Sequence, residues 1–263
     1  MKNILAEIID HKYKELATIK NTLPVAKLEK SVFFDRTCIS LKKALLESKH
    51  HGIIAEFKRK SPSKGAFNDN FSVEEITTGY VAAGAAGLSV LTDSHYFGGT
   101  LGDLTLARTL NPSTALLRKD FMVDEYQVLA AKACGADVIL LIAAGIETKL
   151  LNRLARFAKS LGLETLLEIK EQEELEGNLS EYIDIVGVNN RSLKNFTVDV
   201  NSSITLCEHI PDSFVKISES GINKAEVVHK LKGYGYKGFL MGEAFMQTPD
   251  PVMSIKEFVN SLD

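Results

Sequence analysis

Short apolar segments rich in Val, Ile and Leu recur along most of the chain. Each segment ends in polar residues and is followed by a helical pattern of apolar positions. Near-continuous apolar runs of this length are typical of parallel strands covered on both faces, and the strand–helix repeat predicts βαβ connectivity. The eight predicted strands are Ile53–Phe57, Gly87–Leu91, Ala115–Arg118, Val138–Ile142, Glu164–Leu167, Ile185–Val188, Val215–Ser218 and Gly238–Met241.

Eight strand–helix units are the number that closes a (β/α)8 barrel, so the pattern predicts an α/β protein with the TIM-barrel fold. A doubly wound open sheet is the structural alternative. Such a sheet usually has fewer strands and a glycine-rich nucleotide fingerprint after the first one. The only matching sequence, Gly233–Gly238, follows a predicted helix and precedes a strand, which reverses the order that dinucleotide binding requires.

The chain before the first predicted strand has helical spacing of its apolar residues. One helix begins near Ile4–Ile9, and a second is predicted for Ser40–Leu46. We find no Pro/Ser-rich linker or low-complexity tract that would mark a domain boundary. Residues 1–263 are therefore predicted to form a single (β/α)8 barrel domain, of which 1–48 is an N-terminal helical extension.

Polar residues with capping potential precede several predicted helices. A Ser or Asn followed three residues later by Glu has the spacing of a capping box, and Asp is a favoured N-cap. The predicted helix starts are marked by Ser72 with Glu75, by Asn223 with Glu226, by Asp124, and by Pro249–Asp250.

Composition narrows the class of protein. A net charge of −3 and a pI near 6.1 argue against a dedicated nucleic-acid partner. The sequence has no apolar window long enough for a membrane span and no secretory signal, so we expect a cytoplasmic protein. Its three cysteines are far apart and are interpreted as small core residues, and His50–His51 as a solvated pair rather than metal ligands.

The segment Ile53–Gly65 carries the most specific chemistry. Strand alternation places Glu56 and Lys58 on one face at the end of a buried strand, where charges are costly unless they are paired or functional. The following loop supplies the hydroxyl of Ser61 and the cation of Lys64, which suits an anionic, phosphate-bearing substrate. A solvated charge cluster at a strand end is the alternative interpretation.

Active sites of (β/α)8 barrels lie at the carboxyl ends of the strands. Alternation places Lys119 with Leu117 and Phe121 on one face of the third strand, and Ser218 with Ser220 on one face of the seventh. Carboxylates and lysines that lie together at this end of the barrel can shift one another's pKa values in opposite directions. Such a difference supplies a general acid and a general base in one site. The convergent set is Glu56, Lys58, Lys119, Glu168, Asn189, Arg191 and Ser220.

Glycine-containing loops follow the last two predicted strands. They are Ser220–Ile222 and Gly242–Ala244. Loops in this position commonly bind phosphate through backbone N–H groups, and glycine allows the backbone to approach the anion closely. Ordinary βα turns are the alternative interpretation, but the two loops at adjacent strand ends reinforce one another.

Several motifs occur in the order found in one known family. The sequence resembles the indole-3-glycerol phosphate synthases over essentially its whole length, and the first of these motifs is highly specific. The matching segments are Ala55–Gly65, Tyr96–Gly99, Leu117–Phe121, Leu166–Ile169, Gly187–Leu193, Ser218–Ile222 and Met241–Met246.

The resemblance implies a decarboxylating carbon–carbon lyase of tryptophan biosynthesis. It would convert 1-(2-carboxyphenylamino)-1-deoxyribulose 5-phosphate into indole-3-glycerol phosphate, CO₂ and water. The phosphorylated small molecule would be its only partner, with no nucleic acid or membrane. No metal and no organic cofactor are implied. We expect a monomer, or at most a weak homodimer.

The resemblance also implies residue roles. Lys119 would protonate the ketone oxygen during ring closure. Lys58 and Glu168 would form the acid–base pair for dehydration, with Glu56 orienting Lys58, although the order of proton transfers among these three stays open. The other implied catalytic residues are Asn189 and Ser220. The implied substrate-binding residues are Ser61, Phe97, Phe121, Arg191, Leu193, Glu219, Gly221, Met241, Gly242 and Glu243.

The two inward carboxylates are expected to differ in pKa. Lys58 lies two residues from Glu56 on the same face, so it should lower the pKa of Glu56. Glu168 follows Leu166 and Leu167 with no adjacent cation on its own strand, so burial should raise its pKa.

Three rival functions remain open from the sequence. Lys58 or Lys119 could form a Schiff base with a sugar phosphate, as in an aldolase. A sugar-phosphate isomerase on the same fold would retain the substrate carboxylate. A barrel that only binds a phosphorylated ligand is the third possibility.

Overall fold

The computed structural model describes residues 4–47, 51–62, 64–67, 71–192 and 196–263. Eight parallel strands form a closed barrel, so the predicted fold is confirmed. The strands are β1 (Ile53–Phe57), β2 (Gly87–Leu91), β3 (Ala115–Lys119), β4 (Val138–Ile142), β5 (Glu164–Ile169), β6 (Ile185–Asn189), β7 (Val215–Glu219) and β8 (Gly238–Met241). Their order around the barrel is β1-β8-β7-β6-β5-β4-β3-β2.

Helices connect most of the strands and cover the outside of the barrel. They are α1 (Ile4–Thr22), α2 (Val25–Leu28), α3 (Leu41–Leu46), α4 (Val73–Ala82), α5 (Leu101–Leu110), α6 (Glu125–Ala133), α7 (Thr148–Ser160), α8 (Asn201–Leu206), α9 (Ala225–Gly233), α10 (Glu243–Met246) and α11 (Pro251–Asn260). A short antiparallel pair, Lys60–Ser61 with Gly65–Ala66, follows β1.

The connection between β5 and β6 departs from the strand–helix repeat. A single 3-10 turn at Gln172–Glu174 stands where the other connections have an α-helix. Leu175 and Ile183, from the same connection, are buried and join the outer core. Apolar side chains of this connection thus cover this side of the barrel with little regular structure.

Alternation along the strands divides the apolar residues into two layers. One layer fills the barrel interior and includes Ile54, Leu117, Leu140, Leu166 and Ile217. The other lies between the strands and the helices and includes Ile53, Leu88, Leu116, Ile139 and Val186. The inner layer ends where polar side chains begin at the carboxyl ends of the strands.

The N-terminal extension packs against both ends of the barrel. Leu41 and Leu45 of α3 fill the amino-terminal end, and β2 and β8 begin with glycine there. A Cβ at Gly87 would lie 2.5 Å from Leu41 Cδ1, and one at Gly238 would lie 3.1 Å from Leu45 Cδ1. At the opposite end, Ile8 of α1 joins the same inner layer.

Most of the predicted helix starts are confirmed. The side chains of Ser72, Asp124 and Asp250 accept hydrogen bonds from backbone N–H groups of α4, α6 and α11. The start predicted at Asn223 is wrong, because α9 begins after Lys224 and has no side-chain cap. Asn223 lies one position too early and borders the cavity at the carboxyl end of the barrel.

Other predictions concern cysteine, histidine and membranes. Cys38, Cys134 and Cys207 are free thiols, and Cys207 is buried. His51 lies 3.1 Å from a carboxylate oxygen of Asp263, while His50 falls outside the described residues. Within the described part of the chain, we find neither a cluster of His, Cys, Asp and Glu suited to a metal ion nor a helix able to cross a membrane.

Candidate active site

A cavity of about 650 Å³ opens at the carboxyl ends of the barrel strands. It is bordered by every site residue that the resemblance implied and the structure describes, while Leu193 lies outside the described residues. Met241 borders the cavity, but its side chain packs in the outer apolar layer. The sequence did not anticipate the contribution of α1, whose Ile4 and Ile8 also line the wall.

Lys119 lies at the centre of the charged part of the cavity. As the last residue of β3, it places its ammonium 3.1 Å from Glu168 Oε2 on β5 and in a short ion pair with Glu219 on β7. Burial acts to lower the pKa of Lys119, but the carboxylates of Glu219, Glu168 and Glu56 outweigh it and raise the pKa. The side chain is therefore a cation at neutral pH.

Glu219 points into the barrel, which corrects the predicted face of the seventh strand. Ser218 lies on the other face, where its hydroxyl contacts Asn190 and Ser203 at 3.0 and 2.8 Å. Ser220 reaches the cavity because its backbone is left-handed (φ 68°), which breaks the alternation after β7. Strand parity alone could not reveal that local reversal.

The carboxyl group of Glu219 is 2% exposed, the least of the three carboxylates in this cluster. Burial raises its pKa from 4.5 to about 7, against the opposing effect of Lys119. A carboxyl group with this pKa exchanges a proton near neutral pH.

Glu56 and Lys58 form the second charged pair. Their side chains, two residues apart at the end of β1, lie 2.8 Å from each other. Burial acts to raise the pKa of Glu56, but Lys58 and Lys119 lower it overall, which confirms the expected direction. Glu56 is therefore an anion that holds the Lys58 ammonium in the cavity.

Glu168 has a cation close by, although none lies next to it on its own strand. Lys119 lies 3.1 Å away, and Asn189 Nδ2 donates to Glu168 Oε1 at 3.0 Å. The cation comes from β3, across the barrel, and therefore cannot be found by alternation along β5. Ser220 Oγ in turn donates to Asn189 Oδ1 at 3.0 Å.

Aromatic and apolar side chains form one end of the cavity. The rings of Phe97 and Phe121 have centroids 5.9 Å apart. These residues follow β2 and β3, and Ile4 and Ile8 of α1 face the same space. This end can hold a flat apolar group.

The opposite end is built from polar loops. Arg191 Nη2 lies 2.9 Å from Glu243 Oε2, and Lys64 Nζ lies 3.8 Å from the other oxygen of that carboxylate. Gly221 follows β7 with a φ of 75°, and Gly242 follows β8. Two cations and two glycine-containing loops thus lie together, as a phosphate group requires.

The closed barrel and the charged cavity at its carboxyl end define a (β/α)8-barrel enzyme. The family model for indole-3-glycerol phosphate synthase matches residues 5–258. The chain therefore belongs to the indole-3-glycerol phosphate synthase family. The expected activity, that of a decarboxylating carbon–carbon lyase of tryptophan biosynthesis, is thereby confirmed, and a phosphorylated small-molecule substrate fits it.

Curated relatives agree with this family. The chain is 45% identical over 262 residues to an indole-3-glycerol phosphate synthase of Bacteroides thetaiotaomicron, with 100% of both chains covered. It is 40% identical over 254 residues to that of Acidithiobacillus ferrooxidans, covering 95% of this chain and 96% of the relative.

Solved structures show the same fold at low sequence identity. The 3-hexulose-6-phosphate synthase of Salmonella typhimurium has a TM-score of 0.64 and 11% identity, over 80% of this chain and 98% of that chain. A chain of the tryptophan synthase complex of Pyrococcus furiosus has a TM-score of 0.60 and 15% identity, over 81% of this chain and 98% of that chain. These similarities concern the barrel alone.

Proposed function

We propose that the cavity binds 1-(2-carboxyphenylamino)-1-deoxyribulose 5-phosphate, with its carboxyphenyl ring at the aromatic end and its phosphate at the glycine loops. The observation that carries this proposal is the position of Lys119. This residue borders the cavity, and its ammonium is held between the carboxylates of Glu168 and Glu219. The reacting ketone of such a substrate would lie beside that ammonium.

Ring closure joins the ring carbon that carries the carboxylate to the ketone carbon. Negative charge develops on the ketone oxygen, and Lys119 donates a proton to it. Because its pKa is raised, this lysine is in the protonated form at neutral pH. A positioned general acid typically contributes about 10²–10⁴-fold to the rate.

Decarboxylation and dehydration complete the reaction. Loss of CO₂ returns the bonding electrons to the ring and restores its aromaticity. The new hydroxyl group then leaves as water with a proton from Lys58, while Glu168 accepts a proton from the neighbouring CH₂ carbon of the new ring, and the carbon–carbon double bond of the indole forms. Glu56 holds Lys58 in place at 2.8 Å, and Glu219 can return a proton to Lys119.

Polar residues around this centre would orient the sugar chain. Asn189 is fixed between Glu168 and Ser220, and Arg191 extends toward the phosphate end. Ser61, Gly221 and Gly242 would complete the phosphate site. An enzyme of this pathway would act in the cytoplasm, as a monomer or at most a weak homodimer.

The test is incubation of the purified protein with the carboxyphenylamino substrate. We expect indole fluorescence to appear together with CO₂ release. Product that retains the carboxylate would favour an isomerase, and a borohydride-trapped adduct on Lys58 or Lys119 would favour an aldolase. Binding of the substrate without turnover would indicate a barrel that only binds a phosphorylated ligand.

A further inference from the structure

Helix α1 carries a charged residue on its buried face. The buried positions of the helix are Leu5, Ile8, Lys12 and Leu16, which follow helical spacing. Lys12 is only 2% exposed. A buried ammonium destabilises the fold unless carboxylates compensate for its lost hydration, so Lys12 is expected to have charged partners or a function.

Three carboxylates surround this ammonium. Glu15 Oε2, on the same helix, lies 2.7 Å away, Asp93 Oδ2 lies 2.9 Å away and Asp120 Oδ1 lies 3.0 Å away. Burial acts to lower the pKa of Lys12, but the carboxylates raise it overall. Asp93 follows β2 and Asp120 follows β3, so one cation ties α1 to two adjacent strand ends.

The same two aspartates hold the aromatic residues of the cavity. Asp93 Oδ1 accepts hydrogen bonds from the backbone N–H groups of Tyr96 and Phe97, at 2.7 and 3.3 Å. Asp120 Oδ1 accepts one from the N–H of Phe121 at 2.8 Å. Each of the two aspartates that pair with Lys12 therefore also fixes the backbone of one of the two facing phenylalanines.

We propose that Lys12 is a positioning residue for the aromatic end of the cavity. It sets the spacing of Phe97 and Phe121 through their aspartates, and it holds Ile8, one turn earlier, against the same space. Lys12 does not border the cavity itself and acts through these neighbours. The inference rests on the proposed function in one respect, namely that the carboxyphenyl ring binds between the phenylalanines.

The experiment uses a separate probe for each end of the cavity. Anthranilate probes the aromatic end and inorganic phosphate probes the phosphate end, both as competitive inhibitors of the wild type and of Lys12→Met. In the variant we expect KM and the inhibition constant of anthranilate to rise about tenfold, as for a misplaced binding wall, with kcat changed less. The inhibition constant of phosphate should change less than about twofold, because no contact with that end is altered.

Two further variants separate positioning from general stability. Lys20→Met removes an ion pair that also joins α1 to the barrel, with Asp124 at 2.8 Å, but this pair is partly exposed and neither residue borders the cavity. It should leave both inhibition constants unchanged. Asp93→Asn keeps the acceptor for Tyr96 and Phe97 while removing the charge opposite Lys12, and it should weaken anthranilate binding even where Lys12→Met does not fold.

Equal weakening of both probes in Lys12→Met and Asp93→Asn would overturn the proposal, because it would indicate general loosening. Unchanged anthranilate inhibition in these variants would overturn it as well. A wild-type enzyme that turns over but is not inhibited by anthranilate would instead overturn the placement of the ring, and the role of Lys12 with it.

Discussion

Gly187 makes room for the carboxylate of Glu219. A Cβ at Gly187 would lie 2.6 Å from Glu219 Oε1, and Ile217 Cγ1 and Leu166 Cδ1 would both lie 3.2 Å from it. Gly187 belongs to β6 and Glu219 to the neighbouring β7. Because Glu219 is buried and paired with Lys119, its carboxylate cannot move without disturbing that pair.

Gly187→Ala should therefore displace the Glu219 carboxylate from Lys119. We expect kcat to fall about tenfold or more, with a smaller effect on the KM of the substrate. The control is Gly233→Ala at the end of α9, where an added Cβ would meet nothing within 4 Å. Steady-state kinetics of both variants test this, and wild-type kcat in Gly187→Ala would contradict it.

Glu219→Gln should change how stability depends on pH. The pKa of Glu219 is raised from 4.5 to about 7, so the folded protein keeps this proton while the unfolded chain loses it. Ionisation between these values therefore favours unfolding, and the contribution of this group to stability falls as pH rises from 4.5 to 7. Glutamine abolishes that loss, so urea unfolding should show the variant gaining on the wild type across this range. A constant difference would contradict the raised pKa.

Lys119→Met should abolish product formation while binding at the phosphate end persists. The lost general acid alone accounts for about 10²–10⁴-fold in rate. Inhibition by inorganic phosphate provides the binding measurement, because the glycine loops do not contact Lys119. A variant with more than half of the wild-type kcat would exclude Lys119 as the acid.

Glu168→Gln and Glu56→Gln should differ in their pH profiles. Glu168→Gln removes the proton acceptor, so activity should be lost at every pH. Glu56→Gln removes the anion 2.8 Å from Lys58, so it should disturb Lys58 and shift the basic limb of the kcat profile. An active Glu168→Gln beside an inactive Glu56→Gln would reverse the two roles.

Arg108→Met should destabilise the protein without a direct effect on catalysis. Arg108 is 1% exposed, donates to the carbonyl oxygens of Gly135, Asn111 and Thr114, and pairs with Asp137. Removing one partner of a buried ion pair lowers the free energy of unfolding by about 3–5 kcal/mol. Urea denaturation is the measurement, with the exposed Lys20→Met as the matched control. A decrease in the free energy of unfolding of less than about 1 kcal/mol is what a surface ion pair would give, and it would contradict a stabilising role for the buried Arg108.

Local patterns predicted what lies within one strand. Glu56 and Lys58 share a face because they are two residues apart on β1, and their ion pair follows directly from the sequence. The apolar runs likewise revealed all eight strands. Several predicted strands end one or two residues too early. Lys119 and Glu219, for example, are the last residues of β3 and β7 and not the first residues of the loops that follow.

Contacts between residues of different strands could not be predicted from local patterns. The pairing of Lys119 with Glu168 joins positions 49 residues apart, and the left-handed backbone of Ser220 interrupts the alternation that places Ser218 and Ser220 on one face. Lys12 did offer a signal, namely a charge on an otherwise apolar helical stripe. Its partners, however, are defined only by the closed barrel.

The N-terminal extension has almost all its partners far away in sequence. Arg36 pairs with Asp137, Ser40 hydrogen-bonds to Glu164, and Leu45 packs where β8 begins at Gly238. These separations of about 100 to 190 residues mean that the extension leaves the ribosome well before the surfaces that hold it. The full set of its contacts forms only after β8 has paired with β1, so a segment synthesised before the whole barrel is among the last to complete its docking.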